Sequence, residues 1–419
     1  MNVFVVAIPL FDYSMTVNAY QLCDHSGDKM LGLGNDFRRM NEALTSPGLD
    51  LVREVGLEPF TGDKPLFAAI NRYQLFTGMP ASMGFAPDSV ISILPSEIAE
   101  DPDVIAKCHE LHEQGYSFAL DSFPKKGEES AILPYINFIL LEYGNDHFYN
   151  WYKMINSRMR RVQCVITNIP DTDTFKMLGK SDKSSLFTGD FYSQPITSGG
   201  GTLSPVKVNV LHLLNQVNQE DFDLSDIVKI IERDPYLTIS LLRFINSGAV
   251  GLKNQVESIR NAVAILGQKE VRHWATVALS VSLAEDRPSE ITKLSLVRAK
   301  FAENLAGIFE LGVFQSSLFM AGLFSLLDVI LEKPMAEAIA EVAVDDRVRQ
   351  ALVEHKGELY KVLELIYDYE HADWDKVTIC VIQNDTTVDT INNAFVDALI
   401  WYNQLLASID EDKEALEEM

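Results

Sequence analysis

His109 and His112 stand three residues apart, a spacing that puts two imidazoles on one helix face and that zinc tolerates. The neighbouring Glu110 and Glu113 make that face read instead as a charged, solvated surface. The four cysteines, Cys23, Cys108, Cys164 and Cys380, show no CxxC or related spacing, which argues against a zinc knuckle and a disulfide framework and leaves ordinary thiols. Gly248-Ala249-Val250-Gly251-Leu252 has neither the lysine nor the strand of a phosphate-binding loop and reads as a connection between helices. His273 beside Trp274 reads as a packed histidine, and Asp121, closing an apolar run, reads first as a cap or turn former.

The elements that must position these groups are announced by the apolar pattern. Val3 to Leu10, Ser89 to Leu94, Tyr116 to Leu120, Tyr135 to Leu141 and Val162 to Thr167 are short runs rich in Val, Ile and Phe, bounded by Pro, Gly or charge, which predicts strands. Asp101 to Gln114 repeats Val104, Ile105, Cys108 and Leu111 at three and four, which predicts a helix. Buried strands alternating with helices imply a mainly parallel α/β sheet, long enough to close as a barrel; periodicity leaves barrel and open sheet both standing.

Glycines and a proline then break the pattern over 197–205, predicting a linker between a first domain over 1–196 and a second over 206–408. Beyond it the chain reads as helix after helix. Asp223 or Ser225 caps Ile227 to Glu232, Asp234 precedes Pro235 at a helix start, and Ser258 caps a helix that stops at Gly267. Helical patterns continue at Ile291 to Leu311, Leu318 to Glu332, Met335 to Val342, Arg347 to Glu354, Tyr360 to Glu370 and Val388 to Ser408. The helix carrying Trp401-Tyr402 is expected to pack on this bundle, and the acidic tail 409–419 to fray into solvent.

The 419 residues fit two or three domains, and a hydrophobic share of 47% is that of a folded chain. A formal net charge of −25 repels a phosphate backbone, so nucleic acid is not an expected partner. No run reaches the roughly 18 consecutive apolar residues of a membrane span, and Met1-Asn2-Val3-Phe4 lacks a basic leader. The expectation is a cytoplasmic protein with no membrane insertion.

From about Phe4 to Pro195 several ordered segments resemble the EAL family of cyclic-di-GMP phosphodiesterases. Ala19-Tyr20-Gln21-Leu22 is similar to the family's Glu-Ala-Leu stretch, with Gln21 in the place of the metal-binding glutamate, and Ala69-Ile70-Asn71 matches a Phe-Ile-Asn-like segment. Val90-Ile91-Ser92-Ile93-Leu94 carries no acid where another glutamate is implied, and Asp121-Ser122 stands for an Asp-Asp pair. Phe138-Ile139-Leu140-Leu141-Glu142 places Leu140 at the family's lysine. Ile166-Thr167-Asn168-Ile169-Pro170 lacks two acids, at Thr167 and Pro170, and Phe187-Thr188-Gly189 keeps Gly189 but has Thr188 for the glutamine. The resemblance implies a TIM-like barrel with a degenerate pocket. Two-metal hydrolysis clamps the reacting oxygens between cations held by hard oxygen ligands, and losing at least three acids, the lysine and the glutamine together removes the charge that would concentrate them. Asn71 stays open as an oxygen ligand or as the cap of the helix starting at Arg72; Phe187, Phe191 and Tyr192 read as barrel packing.

From about Leu203 to Ala407 the chain resembles the HDOD family, helical relatives of HD phosphohydrolases, on Leu224 to Pro235, Leu241 to Ser247 and Ser258 to Gly267. The His-Asp pair that binds metal in the HD enzymes is replaced by Ser325-Leu326, neither a firm ligand.

Degenerate barrel followed by helical bundle is similar to the EAL–HDOD family of bacterial signalling proteins. The function implied is a catalytically inactive signal-transduction adaptor with no cofactor, whose partners are other signalling proteins. Weak cyclic-di-GMP binding and homo-oligomerisation stay open. The alternatives are a non-hydrolysing cyclic-di-GMP receptor and a phosphodiesterase with Mg or Mn on Asp121, Glu142 and Asn71.

Overall fold

The computed structural model describes residues 3–26, 46–159, 161–181, 185–194, 205–218, 224–231, 241, 245, 256, 258–284 and 287–417. Two units divide the chain: Met1–Gln194 with Tyr367–Asn393, and Pro195–Ile366 with Ala394–Met419.

In the first unit β1 (Val3–Phe11) and β2 (Val17–Ser26) form an antiparallel hairpin. They are followed by β3 (Leu66–Ala69), β4 (Val90–Leu94), β5 (Phe118–Leu120), β6 (Phe138–Glu142), β7 (Gln163–Ile169) and β8 (Leu186–Gly189). The sheet closes as an eight-stranded barrel in chain order. Pairing is parallel from β2 to β8, and β1 is antiparallel to both neighbours, closing on β8 at Phe11↔Phe187. Of the two arrangements the sequence allows, the closed one forms. Leu10, Ala19, Phe67, Ile91, Ile93, Ala119, Leu140, Val165 and Leu186 make one buried cluster; where a strand gives two members they are alternate residues, as pleated strands require of an interior. Strands β2, β3 and β8 escaped the periodicity reading because the first mixes polar residues into its alternation and the other two have only four residues each.

Gly189 ends β8 at φ 145°, and a Cβ there would stand 2.3 Å from the carbonyl oxygen of Ile169. Only glycine allows β7 and β8 so close at that conformation. Phe191, which follows, stacks on Phe175 with ring centroids 4.5 Å apart and meets Phe11 edge-on at 5.5 Å, so the aromatic cluster expected to be barrel packing is that.

The helical domain expected to run unbroken over 206–408 does not do so, because Tyr367–Asn393 groups with the barrel. Tyr369 is fully buried, and Phe4 of β1 stacks on Trp374 at 5.4 Å and meets Tyr369 edge-on at 5.9 Å. Burying such aromatic side chains contributes about 1.5–3 kcal/mol each, which is what ties a segment so distant in sequence to the first strand. The helix Trp374–Gln383 inside it had no counterpart among the sequence expectations.

In the second unit, helices include Pro205–Asn218, Leu224–Ile231, Ile259–Leu283, Ser289–Leu305, Gln315–Leu323 and, from Ala394 onward, the helix Val388–Glu417. Ser258 accepts the Asn261 N–H as the expected cap, and the helix breaks at Gly267, with φ 76°. Gly322 lets two helices touch: a Cβ there would lie 2.5 Å from the carbonyl oxygen of Arg298. Gly312–Leu331 is long and apolar enough to cross a membrane, but 61% of it is buried inside the protein and it is built from two helices and two 3-10 turns. The helix beginning at Val388 continues to Glu417, so the tail expected to fray is helical backbone; Glu, Lys, Ala and Leu over 411–417 are good helix formers. Linker residues 197–204, the Gly248–Leu252 fragment and Asp234-Pro235 lie outside the described residues.

Candidate functional site

The alternation that builds the barrel core also fixes which side chains face its C-terminal mouth. One step up from the buried cluster, the inward positions are Gln21 on β2, Ala69 on β3, Ile93 on β4, Glu142 on β6, Thr167 on β7 and Thr188 on β8. Asp121 and Ser122 follow directly on β5. This layer carries one strand carboxylate, Glu142, which is exposed and paired with Thr167.

The individual residues are occupied by local structure. Asp121 Oδ1 accepts the Ser96 N–H at 2.8 Å, and the Ser122 and Ser96 hydroxyls are 2.7 Å apart. Together they lash the end of β5 to the turn after β4. Asn71 is a helix cap: its side chain accepts the Gln74 N–H at 3.0 Å while Gln74 Oε1 accepts the Asn71 N–H at 2.8 Å, a reciprocal capping box. Of the two readings left open for Asn71, the structure realises the cap. Gln21 is half-buried, between Ile8 and Phe67 in the sheet register. Leu22 and Leu140 are buried apolar residues, Leu140 in the barrel interior. Pro170 is exposed, and its carbonyl oxygen accepts the Gln194 side-chain amide. Thr188 is 6% exposed, and its hydroxyl has no hydrogen-bond partner.

The structure therefore brings Gln21, Glu142, Thr167 and Thr188 to one mouth, sets Asp121 and Ser122 at its rim, and leaves Leu22 on the outer face. Sequence reasoning missed Ala69 as a lining position, although alternation from Phe67 gives it. Among the described residues no three of His, Cys, Asp and Glu are grouped so as to hold a metal ion. His109 lies on the solvated face expected of it, 52% exposed and 3.7 Å from Glu113, with Tyr135 5.2 Å from its ring; His112 departs from that expectation, packing against Tyr135 at 6.0 Å with its Nδ1 buried and without a hydrogen-bond partner. The 3-10 turn Leu133–Tyr135 that brings this ring over has no periodic signal.

A second feature of the rim was not foreseen. Asp190, next after β8, accepts from His371 Nε2 at 3.1 Å, while His371 Nδ1 lies 2.7 Å from the Tyr367 carbonyl oxygen. The Asp190 hydrogen bond raises the His371 pKa to about 9 against the partial burial that opposes it, and the same bond lowers that of Asp190. Both side chains are more than half exposed, so solvent screens the pair.

In the helical unit, Ser325 and Leu326 are buried in a 3-10 turn, Phe324–Leu326. Ser325 donates to the Gly322 carbonyl oxygen at 2.7 Å and accepts from Arg298 Nη1 at 3.1 Å. A buried guanidinium, 5% exposed, thus contacts the hydroxyl at the first of these two positions. His273 packs on Phe319 at 4.2 Å, and burial lowers its pKa, as a packed histidine should behave.

Residues 203–372 match the HDOD domain. The chain is 27% identical to the uncharacterized protein YuxH of Bacillus subtilis over 414 residues, 97% of this chain and 99% of that protein. It is 25% identical to the cyclic di-GMP phosphodiesterase CdgJ of Vibrio cholerae over 302 residues, 71% of this chain and 70% of that one. Among solved structures, BlrP1 of Klebsiella pneumoniae in a manganese and cy-diGMP complex is similar with 16% identity and a TM-score of 0.37, over 46% of this chain and 56% of that one.

Proposed function

We propose that this protein is a catalytically inactive signal-transduction adaptor, related to cyclic-di-GMP phosphodiesterases and acting through other signalling proteins in the cytoplasm. The relatedness rests on the HDOD match and the similarity to CdgJ. The inactivity rests on one observation: the inward layer of the barrel mouth carries a single strand carboxylate, and the oxygens of Asp121 and Asn71 beside it already have structural work. Asp121 is held by the Ser96 amide and Asn71 by its capping box. Gln21, Thr167 and Thr188 bring no charge, which leaves Glu142 as the acid of the inward layer. A divalent cation that must polarise a phosphodiester needs several hard, anionic oxygens converging on it; this donor set does not fit two such ions, and no step is assigned to them. Leu140, which the EAL resemblance sets in the place of a lysine, is a buried apolar residue of the barrel interior and brings no charge.

The test is turnover of cyclic-di-GMP by the purified chain with saturating Mg or Mn. None is expected, and metal-dependent linear product would overturn the proposal. Calorimetry with the intact dinucleotide separates adaptor from receptor, since saturable binding without turnover moves the assignment to a receptor.

A further inference from the structure

At the end of the barrel opposite the mouth, the first residues of the parallel strands leave a cavity of about 330 Å³. Small-molecule pockets begin at about this size, and barrels of this kind ordinarily fill that end with side chains. Here Ala19 is too small to do so, and Phe67 and Phe138 stand edge to face at 4.9 Å beside the space.

Its polar side chains are one carboxylate and two amides. Asp12 reaches it from the β1–β2 turn, with Asn18 hydrogen-bonded to it, and Gln163 lines it beside Phe138 in the sheet register. Oδ1 of Asp12 takes the Ser14 N–H at 2.8 Å, the Ser14 hydroxyl at 2.6 Å and the Thr16 N–H at 3.1 Å; Oδ2 takes the Asn18 amide at 3.0 Å. The turn thus fixes the carboxylate before any ligand arrives, while Oδ2 keeps acceptor capacity. Burial opposes ionisation, but these donors outweigh it and hold Asp12 below the usual carboxylate range. A fixed anion lining the same space as two aromatic rings is an arrangement that recognises an ammonium group on an apolar body, through charge-assisted hydrogen bonding and cation–π attraction.

We propose that this cavity is a binding site for a small organic monocation, a primary amine carried on an aromatic or branched aliphatic body. The ammonium group donates to Asp12 Oδ2 and lies against Phe67 or Phe138, while the body occupies the space above Ala19. The site lies on the far side of the barrel from the mouth and stands whether or not the mouth is active.

The test is calorimetric titration of the full chain with phenethylammonium chloride and, at equal ionic strength, with sodium phenylacetate. Expected are saturable binding of the cation, none of the anion, about tenfold weaker binding in Asp12→Asn, and loss of binding in Ala19→Leu with unchanged circular dichroism. If Ala19→Leu does not fold, Asp12→Asn decides alone, since asparagine preserves an acceptor for the turn. No saturable heat with the cation, equal binding of phenylacetate, or an unaltered Asp12→Asn overturns the proposal.

Discussion

The hydroxyl of Tyr369 accepts the Val5 N–H at 3.3 Å and shares its own proton between the Val5 carbonyl oxygen at 3.0 Å, across 364 residues of sequence, and Asn392 Oδ1 at 2.9 Å. β1 meets β8 at Phe11, and Val5 lies toward the other end of the strand. A phenol supplies there what a neighbouring strand would otherwise supply to the edge. Burial raises the Tyr369 pKa strongly, so the hydroxyl keeps the proton it donates. With the Phe4–Trp374 stack and the His371–Asp190 pair, this side chain ties Tyr367–Asn393 to the barrel.

Tyr369→Phe keeps the ring among Phe4 and Trp374 but takes the hydroxyl from the N–H and carbonyl of Val5 and from the buried Asn392 side chain. The loss expected in urea unfolding is about 1–3 kcal/mol, with the far-UV spectrum unchanged. A loss below a few tenths of a kcal/mol would show that water satisfies Val5 instead.

The His371–Asp190 pair gives a pH signature with a definite sign. The histidine pKa rises from 6.5 to about 9 in the folded chain, so its contribution is complete below about pH 6.5 and fades as pH rises through about 9. The lowered Asp190 pKa adds a second window, in which stability falls as acid protonates the carboxylate. Both groups being exposed, the effect is at most about 1 kcal/mol. Comparing the melting temperature at pH 7 and pH 10 with that of His371→Gln should show a larger drop in the parent chain; parallel behaviour of the two would contradict the pairing.

Asp121 is assigned to structure, and its substitutions should behave accordingly. Asp121→Asn retains an acceptor for Ser96 and is expected to change stability little, whereas Asp121→Ala loses about 0.5–1.5 kcal/mol. Chemical denaturation of both variants is the check. Equal loss in the two would mean that the charge, rather than the hydrogen bond, is what the site uses.

Two glycines make steric predictions. Gly322→Ala pushes a methyl group into the backbone at Arg298 and should cost about 1–3 kcal/mol. Gly189→Ala meets both a forbidden conformation and the Ile169 carbonyl, so the cost should be larger and visible as loss of soluble, cooperatively melting protein. A neutral Gly189→Ala would show that β7 and β8 can move apart.

Much of this was legible in the residues themselves. Runs such as Val90–Leu94 and Phe138–Glu142 announced strands because burial on a barrel wall demands β-branched and aromatic side chains, and Ser258 and Gly267 announced the ends of a helix by local hydrogen bonding and φ preference. The missing acids at Gln21, Ser122 and Thr167 were equally readable, since charge is a property of residue type. Tertiary structure alone decided which end of each strand faced which cavity, and that Tyr369, Trp374 and His371 belong to the barrel. Those outcomes depend on groups brought together from opposite ends of the chain, and no periodicity within a short window carries information about a partner hundreds of residues away.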